Sequence, residues 1–150
     1  MAEDSVTIVV VDDDDGHVEL VRRNLRRAGI PNPIEPLYSG EVALDYVFRR
    51  GAYQARPQTH VLLLLDINMS GGVDGIEVLR QIKSDPTTRR IPVIMLTTAD
   101  DPRDIDRCYD LGCNVYITKP VDPATFSRAM ERLGLILSVA RLPSDVGVSA

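Results

Sequence analysis

The sequence has no tryptophan, two phenylalanines, two cysteines and two histidines among its 150 residues. Cys108 and Cys113 lie five apart, on or just past one predicted helix and on different faces of it, with no matching Cys or His pair. They are read as reduced packing residues, which leaves no disulfide framework and no structural zinc site. His17 and His60 stand isolated along the chain and are read as structural or exposed, without the neighbours that a phosphodonor or a metal site requires. An excess of basic residues is also missing. With 17 Lys and Arg against 22 Asp and Glu, the formal net charge is -5, which argues against a nucleic-acid partner, since such proteins carry a basic face that neutralises phosphates. No apolar run approaches the roughly 18 residues of a bilayer span, and the start MAEDSVTIVVVDDDD lacks a basic segment followed by a long apolar one. No membrane association is expected, and the default location is the cytoplasm.

What is present fits one globular domain: 44% hydrophobic and 26% charged residues in a chain long enough to bury a single core. Short apolar runs stand out at Val6 to Val11, Val61 to Leu65, Ile91 to Leu96 and Val115 to Thr118, with a weaker one at Ile34 to Tyr38. They are continuous rather than alternating, as strands buried on both faces of a parallel sheet are. Amphipathic stretches separate them. The first places Val18, Val21, Leu25 and Ala28 on one side and Arg22, Arg23, Arg26 and Arg27 on the other, and Gly29 closes it. Further helices are predicted over Gly40 to Arg49, Gly75 to Ser84, Pro102 to Leu111 and Pro123 to Val139. Strand and helix alternate five times, which predicts an α/β fold with a doubly wound five-stranded parallel sheet and five helices. The domain spans 6–139. The longest irregular piece is Gly51 to His60, and 140–150 is read as a loose tail with no output domain after it.

In open parallel sheets, ligands gather beyond the carboxyl ends of the strands. Four of the five runs deliver chemistry there: Asp12 and Asp13 after the first, Asp66 after the third, Thr97 and Thr98 after the fourth, Lys119 after the fifth. Three carboxylates at one corner repel, and a hard divalent cation with oxygen ligands relieves that repulsion; Mg²⁺ suits a site of few protein ligands. One carboxylate could then attack phosphorus to form an acyl phosphate, with Lys119 and the Thr97 hydroxyl meeting the incoming oxygens. The run Asp12 to Asp15 holds four acids where two suffice, so Asp14 and Asp15 are free to favour the start of the first helix.

Read together, V-D-D at Val11 to Asp13, L-L-D-I-N-M at Leu64 to Met69, D-G at Asp74 and Gly75, L-T-T at Leu96 to Thr98 and Y-I-T-K-P at Tyr116 to Pro120 resemble the receiver domains of bacterial response regulators. The resemblance implies a flavodoxin-like receiver fold with Asp66 as phosphoacceptor. It also implies Mg²⁺ held among Asp12, Asp13, Asp66 and the Asn68 carbonyl, and Lys119 bridging to the phosphoryl group. Thr98 would be a further phosphoryl contact, Thr97 and Tyr116 a switch pair, and the Lys119 to Pro120 bond cis. A strand tyrosine packs as readily as it switches, so Tyr116 keeps both readings. A narrower resemblance, to single-domain regulators that partner phytochrome histidine kinases, rests on F-R-R-G-A-Y at Phe48 to Tyr53, R-I-P-V-I-M-L-T-T from Arg90 to Thr98 and L-S-V-A-R-L-P at Leu137 to Pro143. It implies a sensor histidine kinase of that type as partner. One departure is plain: Ser70 stands where the family usually has Pro, and Gly71, Gly72 and Val73 make the interval to Asp74 one residue longer.

A phosphohydrolase of the haloacid dehalogenase type would also use a strand-end Asp, but it needs a second acid at the position of Asn68 to protonate the leaving group. A receiver is therefore expected to act as a phosphoacceptor with slow self-dephosphorylation rather than as an enzyme. A binding module that only keeps the fold would not need Asp12, Asp13 and Lys119 together. The last helix carries Leu133, Leu135, Ile136, Leu137 and Val139 on more than one face, which predicts a homodimer through this helix and the tail.

Overall fold

The structure, a computed structural model, describes residues 6–133. Five strands, β1 (Val6–Val11), β2 (Ile34–Leu37), β3 (His60–Leu65), β4 (Val93–Thr97) and β5 (Val115–Thr118), alternate with α1 (Asp15–Arg27), α2 (Gly40–Phe48), α3 (Gly75–Ser84), α4 (Pro102–Leu111) and α5 (Pro123–Leu133). All neighbouring strands pair in parallel, in the order β2-β1-β3-β4-β5. The doubly wound sheet predicted from the alternation is present.

The continuous apolar runs are explained by two cores, one on each face. Because successive strand side chains point to opposite faces, Val9, Val11, Leu63, Leu65 and Met95 join α2 and α3 in one core. Their neighbours Ile8, Val10, Leu62, Leu64 and Ile94 pack with Val21 and Leu25 of α1 and Phe126 and Met130 of α5 in the other. Cys108 and Cys113 are buried free thiols in the first core. Burial pushes their pKa values up, to about 11 and about 12, as expected of packing residues rather than ligands.

Several boundaries differ from the periodicity reading. β4 starts at Val93, not Ile91, because Pro92 has no N–H to give the ladder and the Ile91 carbonyl is taken by the Lys83 ammonium. β3 begins one residue early, at His60, which pairs with Val6. β2 ends at Leu37, before Tyr38. α2 stops at Phe48 because Arg49 turns into the left-handed region, φ 56° and ψ 53°. The irregular stretch after it contains a 3-10 turn, Gly51–Tyr53, whose Tyr53 ring stands edge-on to Tyr46 with centroids 5.1 Å apart. The predicted continuation of α5 to Val139, the tail and the residues proposed for dimerisation beyond Leu133 lie outside the described residues. No helix among the described residues is long and apolar enough to cross a membrane.

Candidate functional site

The sheet order itself marks a position: from β1 the chain moves outward to β2 on one side and, after returning, to β3 on the other. Ligands bind at such a reversal, beyond the strand carboxyl ends. Asp12 follows β1 and Asp66 follows β3, and both are buried although charged. The Asp66 N–H donates to the Val11 carbonyl at 3.0 Å, which locks the two strand ends together.

The fifth strand end supplies the countercharge. The Lys119 ammonium lies 2.5 Å from Asp12 Oδ2 and 3.2 Å from Asp66 Oδ2, with its own side chain only 10% exposed. A third neighbour is His17, whose Nδ1 is 3.1 Å from the ammonium. An ammonium has three protons, and here three acceptors surround it. The remaining carboxylate oxygens are held by backbone: Asp12 Oδ1 accepts from the Asp14 N–H at 3.0 Å and Asp66 Oδ1 from the Asn68 N–H at 3.1 Å. Lys119 is itself placed by its N–H on the Thr97 carbonyl, 2.8 Å, and it precedes a cis peptide bond to Pro120. Asn24 of α1 ties the same loop down, donating from Nδ2 to the Val121 carbonyl at 2.8 Å.

His17 corrects the sequence reading, in which it had no functional neighbours. It occupies the first turn of α1, which starts directly above the strand ends, and Asp14 caps that helix by accepting the His17 N–H. The turn carries the imidazole over Lys119 and to within 3.6 Å of Asp12 Oδ2. Asp12, His17 and Asp66 each offer a ligand atom, all within 4.8 Å of one another.

Asp13 behaves differently from its neighbour. It is exposed, and its Oδ2 accepts from both the Ser70 N–H at 2.8 Å and the Ser70 hydroxyl at 2.9 Å. These bonds hold its carboxyl below the usual aspartate range. The lengthened loop thus replaces the family proline with a residue that grips Asp13, and Gly71, at φ 101°, makes the turn that follows. Thr97 is fully buried at the end of β4, its Oγ1 accepting from the Ala99 N–H at 3.2 Å, while Thr98 is exposed beside Lys119. Tyr116 reaches the same β4–α4 loop, its hydroxyl donating to the Ala99 carbonyl at 2.6 Å.

Asp12 and Asp66 bring carboxylate oxygens to this cluster, the kind of donor a small hard cation takes, while the described carboxylate oxygen of Asp13 is turned to Ser70. His17 adds a nitrogen that Mn²⁺ accepts more readily than Mg²⁺. Residues 8–131 match the family described as the response regulator receiver domain.

The chain belongs to the response regulator receiver family.

Among curated relatives of this receiver, the probable methanogenesis regulatory protein FilR2 of Methanothrix harundinacea is 37% identical over 133 residues, 88% of this chain and 83% of FilR2. Response regulator Rcp1 of Synechocystis is 36% identical over 112 residues, 75% of each chain. The solved Mn²⁺-bound form of Rcp1 superposes with a TM-score of 0.73, at 32% identity and covering 92% of this chain and 99% of that one. The bacteriophytochrome response regulator RtBRR superposes with a TM-score of 0.79, at 36% identity, covering 93% of this chain and 84% of its own. Receivers of this kind hold Mg²⁺ or Mn²⁺ at the acidic corner.

Proposed function

We propose that the chain is a phosphorelay response regulator in which Asp66 takes a phosphoryl group from the phosphohistidine of a sensor histidine kinase. The observation that carries this reading is the Lys119 ammonium shared between Asp12 and Asp66 at the strand reversal, 2.5 and 3.2 Å away. A lysine so placed stands beside the Asp66 carboxylate oxygen and needs only a small shift to meet a phosphoryl oxygen bonded to it.

Asp66 attacks phosphorus in line through a carboxylate oxygen. The new O–P bond forms as the P–N bond to the kinase imidazole breaks, and the imidazole keeps that electron pair. Asp12, Asp13, Asp66 and the Asn68 carbonyl are the residues proposed to hold Mg²⁺. When bound, it neutralises charge on the transferring oxygens. Lys119 donates to one phosphoryl oxygen. The Thr97 hydroxyl, which now only accepts from Ala99, donates to another, with Thr98 beside it. A moved Thr97 releases the β4–α4 loop whose Ala99 carbonyl holds the Tyr116 hydroxyl, so the two form the switch pair. Slow attack of water on the same phosphorus returns phosphate and free Asp66.

A kinase of the phytochrome type is the proposed donor, supported by the likeness to RtBRR over 93% of the chain. The test is incubation with Mg²⁺ and a small phosphoramidate or acyl phosphate donor, followed by intact mass. One added phosphoryl group is expected, absent when a chelator removes the cation; no added mass under any donor would refute the reading.

A further inference from the structure

At the amino ends of β1, β3 and β4, on the opposite side of the sheet from Asp66, lies a cavity of about 520 Å³, within the usual range for small-molecule sites. Val47, Phe48, Val61, Ile91 and Pro92 give it an apolar wall. Arg49, Arg56 and Arg90 give it charge, and no acidic residue lines it among the described residues. In a chain of net charge -5, all four guanidinium ion pairs among the described residues lie elsewhere: Arg22, Arg50, Arg80 and Arg103 each face a carboxylate. None of the three cavity arginines does so among the described residues.

Two of the three are built in rather than merely present. Arg56 donates from Nε to the Tyr46 carbonyl at 3.0 Å, and its guanidinium lies 4.3 Å from the Tyr46 ring centroid, so its position is set before any ligand arrives. Arg49 caps α2 with φ 56°, a conformation that is unfavourable for a side-chain-bearing residue and that glycine takes freely. Its guanidinium meets Gln58 at 3.4 Å across the cavity rim. The carbonyl end of α2 opposes an anion here, but it amounts to about half a charge against three guanidiniums.

We propose that this cavity is a second ligand site, which binds an organic phosphate of mononucleotide size. The phosphates pair with Arg49 and Arg90, whose planar forks match phosphate oxygens two at a time; Arg56, with Nε on the Tyr46 carbonyl and Nη1 on the Pro57 carbonyl, adds its charge and its remaining Nη2 donor, and the ring lies on the Phe48 and Pro92 wall. An inorganic ion would leave most of the volume to water and the apolar wall uncovered.

The test is NMR titration of the ¹⁵N-labelled full chain, without divalent cations and at constant ionic strength, with ADP, adenosine and pyrophosphate in separate arms. Saturable shifts at the amides of Arg49, Thr59, Thr88 and Arg90 are expected, with ADP binding more tightly than either fragment. The double variant R49Q/R90Q should weaken ADP at least about tenfold, as loss of two charge-assisted contacts implies, while still gaining a phosphoryl group from a small donor at the wild-type rate. Absence of saturation at millimolar ADP, unchanged affinity in the double variant, shifts centred on Asp12 and Lys119, or pyrophosphate binding as tightly as ADP would each overturn the proposal.

Discussion

At the scale of single residues, Asp12, Asp66 and Lys119 could be read from sequence because each follows an apolar run directly, where a charged group is costly unless used. His17 could not be read that way. Its partner Lys119 is 102 positions distant, and an isolated histidine carries no periodic signal. The strand-end rule extended by one helical turn would have found it, since the first turn of α1 faces the same corner. Its acceptor role makes a prediction. His17→Ala should slow phosphorylation of Asp66 about threefold to tenfold by loosening Lys119, with little change in melting temperature. His17→Asn, whose side-chain oxygen can stand in for Nδ1, should restore most of the rate. Stopped-flow kinetics with a small phosphodonor checks this, and an unchanged rate in the alanine variant would remove His17 from the site.

The elements were legible wherever hydrophobic period and turn chemistry agreed. α3 matches its predicted bounds because Asp74 caps it and Gly75 starts it. The structure adds why glycine is needed there: a Cβ on Gly75 would stand 2.0 Å from the Asp66 carbonyl oxygen and 2.8 Å from the Ile67 Cα. Backbone cannot yield as a flexible side chain can, so Gly75→Ala must push α3 off the end of β3. A loss of about 3 kcal/mol or more in urea unfolding is expected, with weakened phosphorylation because Asp66 moves as well. A loss below about 1 kcal/mol would show that the helix start has more freedom than this packing allows. The Ser70 to Val73 loop was the least legible element. Its departure from the family pattern was visible, but its hold on Asp13 through two bonds from Ser70 depends on the path of the turn, which spacing alone does not specify.

At the scale of the whole molecule, one sheet with a core on each face makes stability depend on pH through groups far from the acidic corner. Cys108 and Cys113, pushed up to about 11 and about 12 by burial, keep their protons in the folded chain well after the unfolded chain begins to lose them near pH 8.5. Between those values the folded state binds more protons than the unfolded one, so stability falls as pH rises, and below about 8.5 the contribution is complete. Urea unfolding at a series of pH values should show this alkaline decline. Cys113→Ala should make it shallower, and an identical slope in the variant would contradict the assignment. The sheet order was legible only as a class, because which strand neighbours which is settled by crossovers that periodicity does not encode. It is this order, with β1 beside β3, that turns separate strand-end residues into a site. The most direct test of that site is to phosphorylate the chain with a small donor and Mg²⁺, reduce the acyl phosphate with borohydride and sequence the peptides by mass spectrometry. Reduction at residue 66 alone, lost in Asp66→Asn, is the expected result; a reduced residue at Asp12 or Asp13 in the wild-type chain, or phosphate retained in Asp66→Asn at wild-type level, would contradict it.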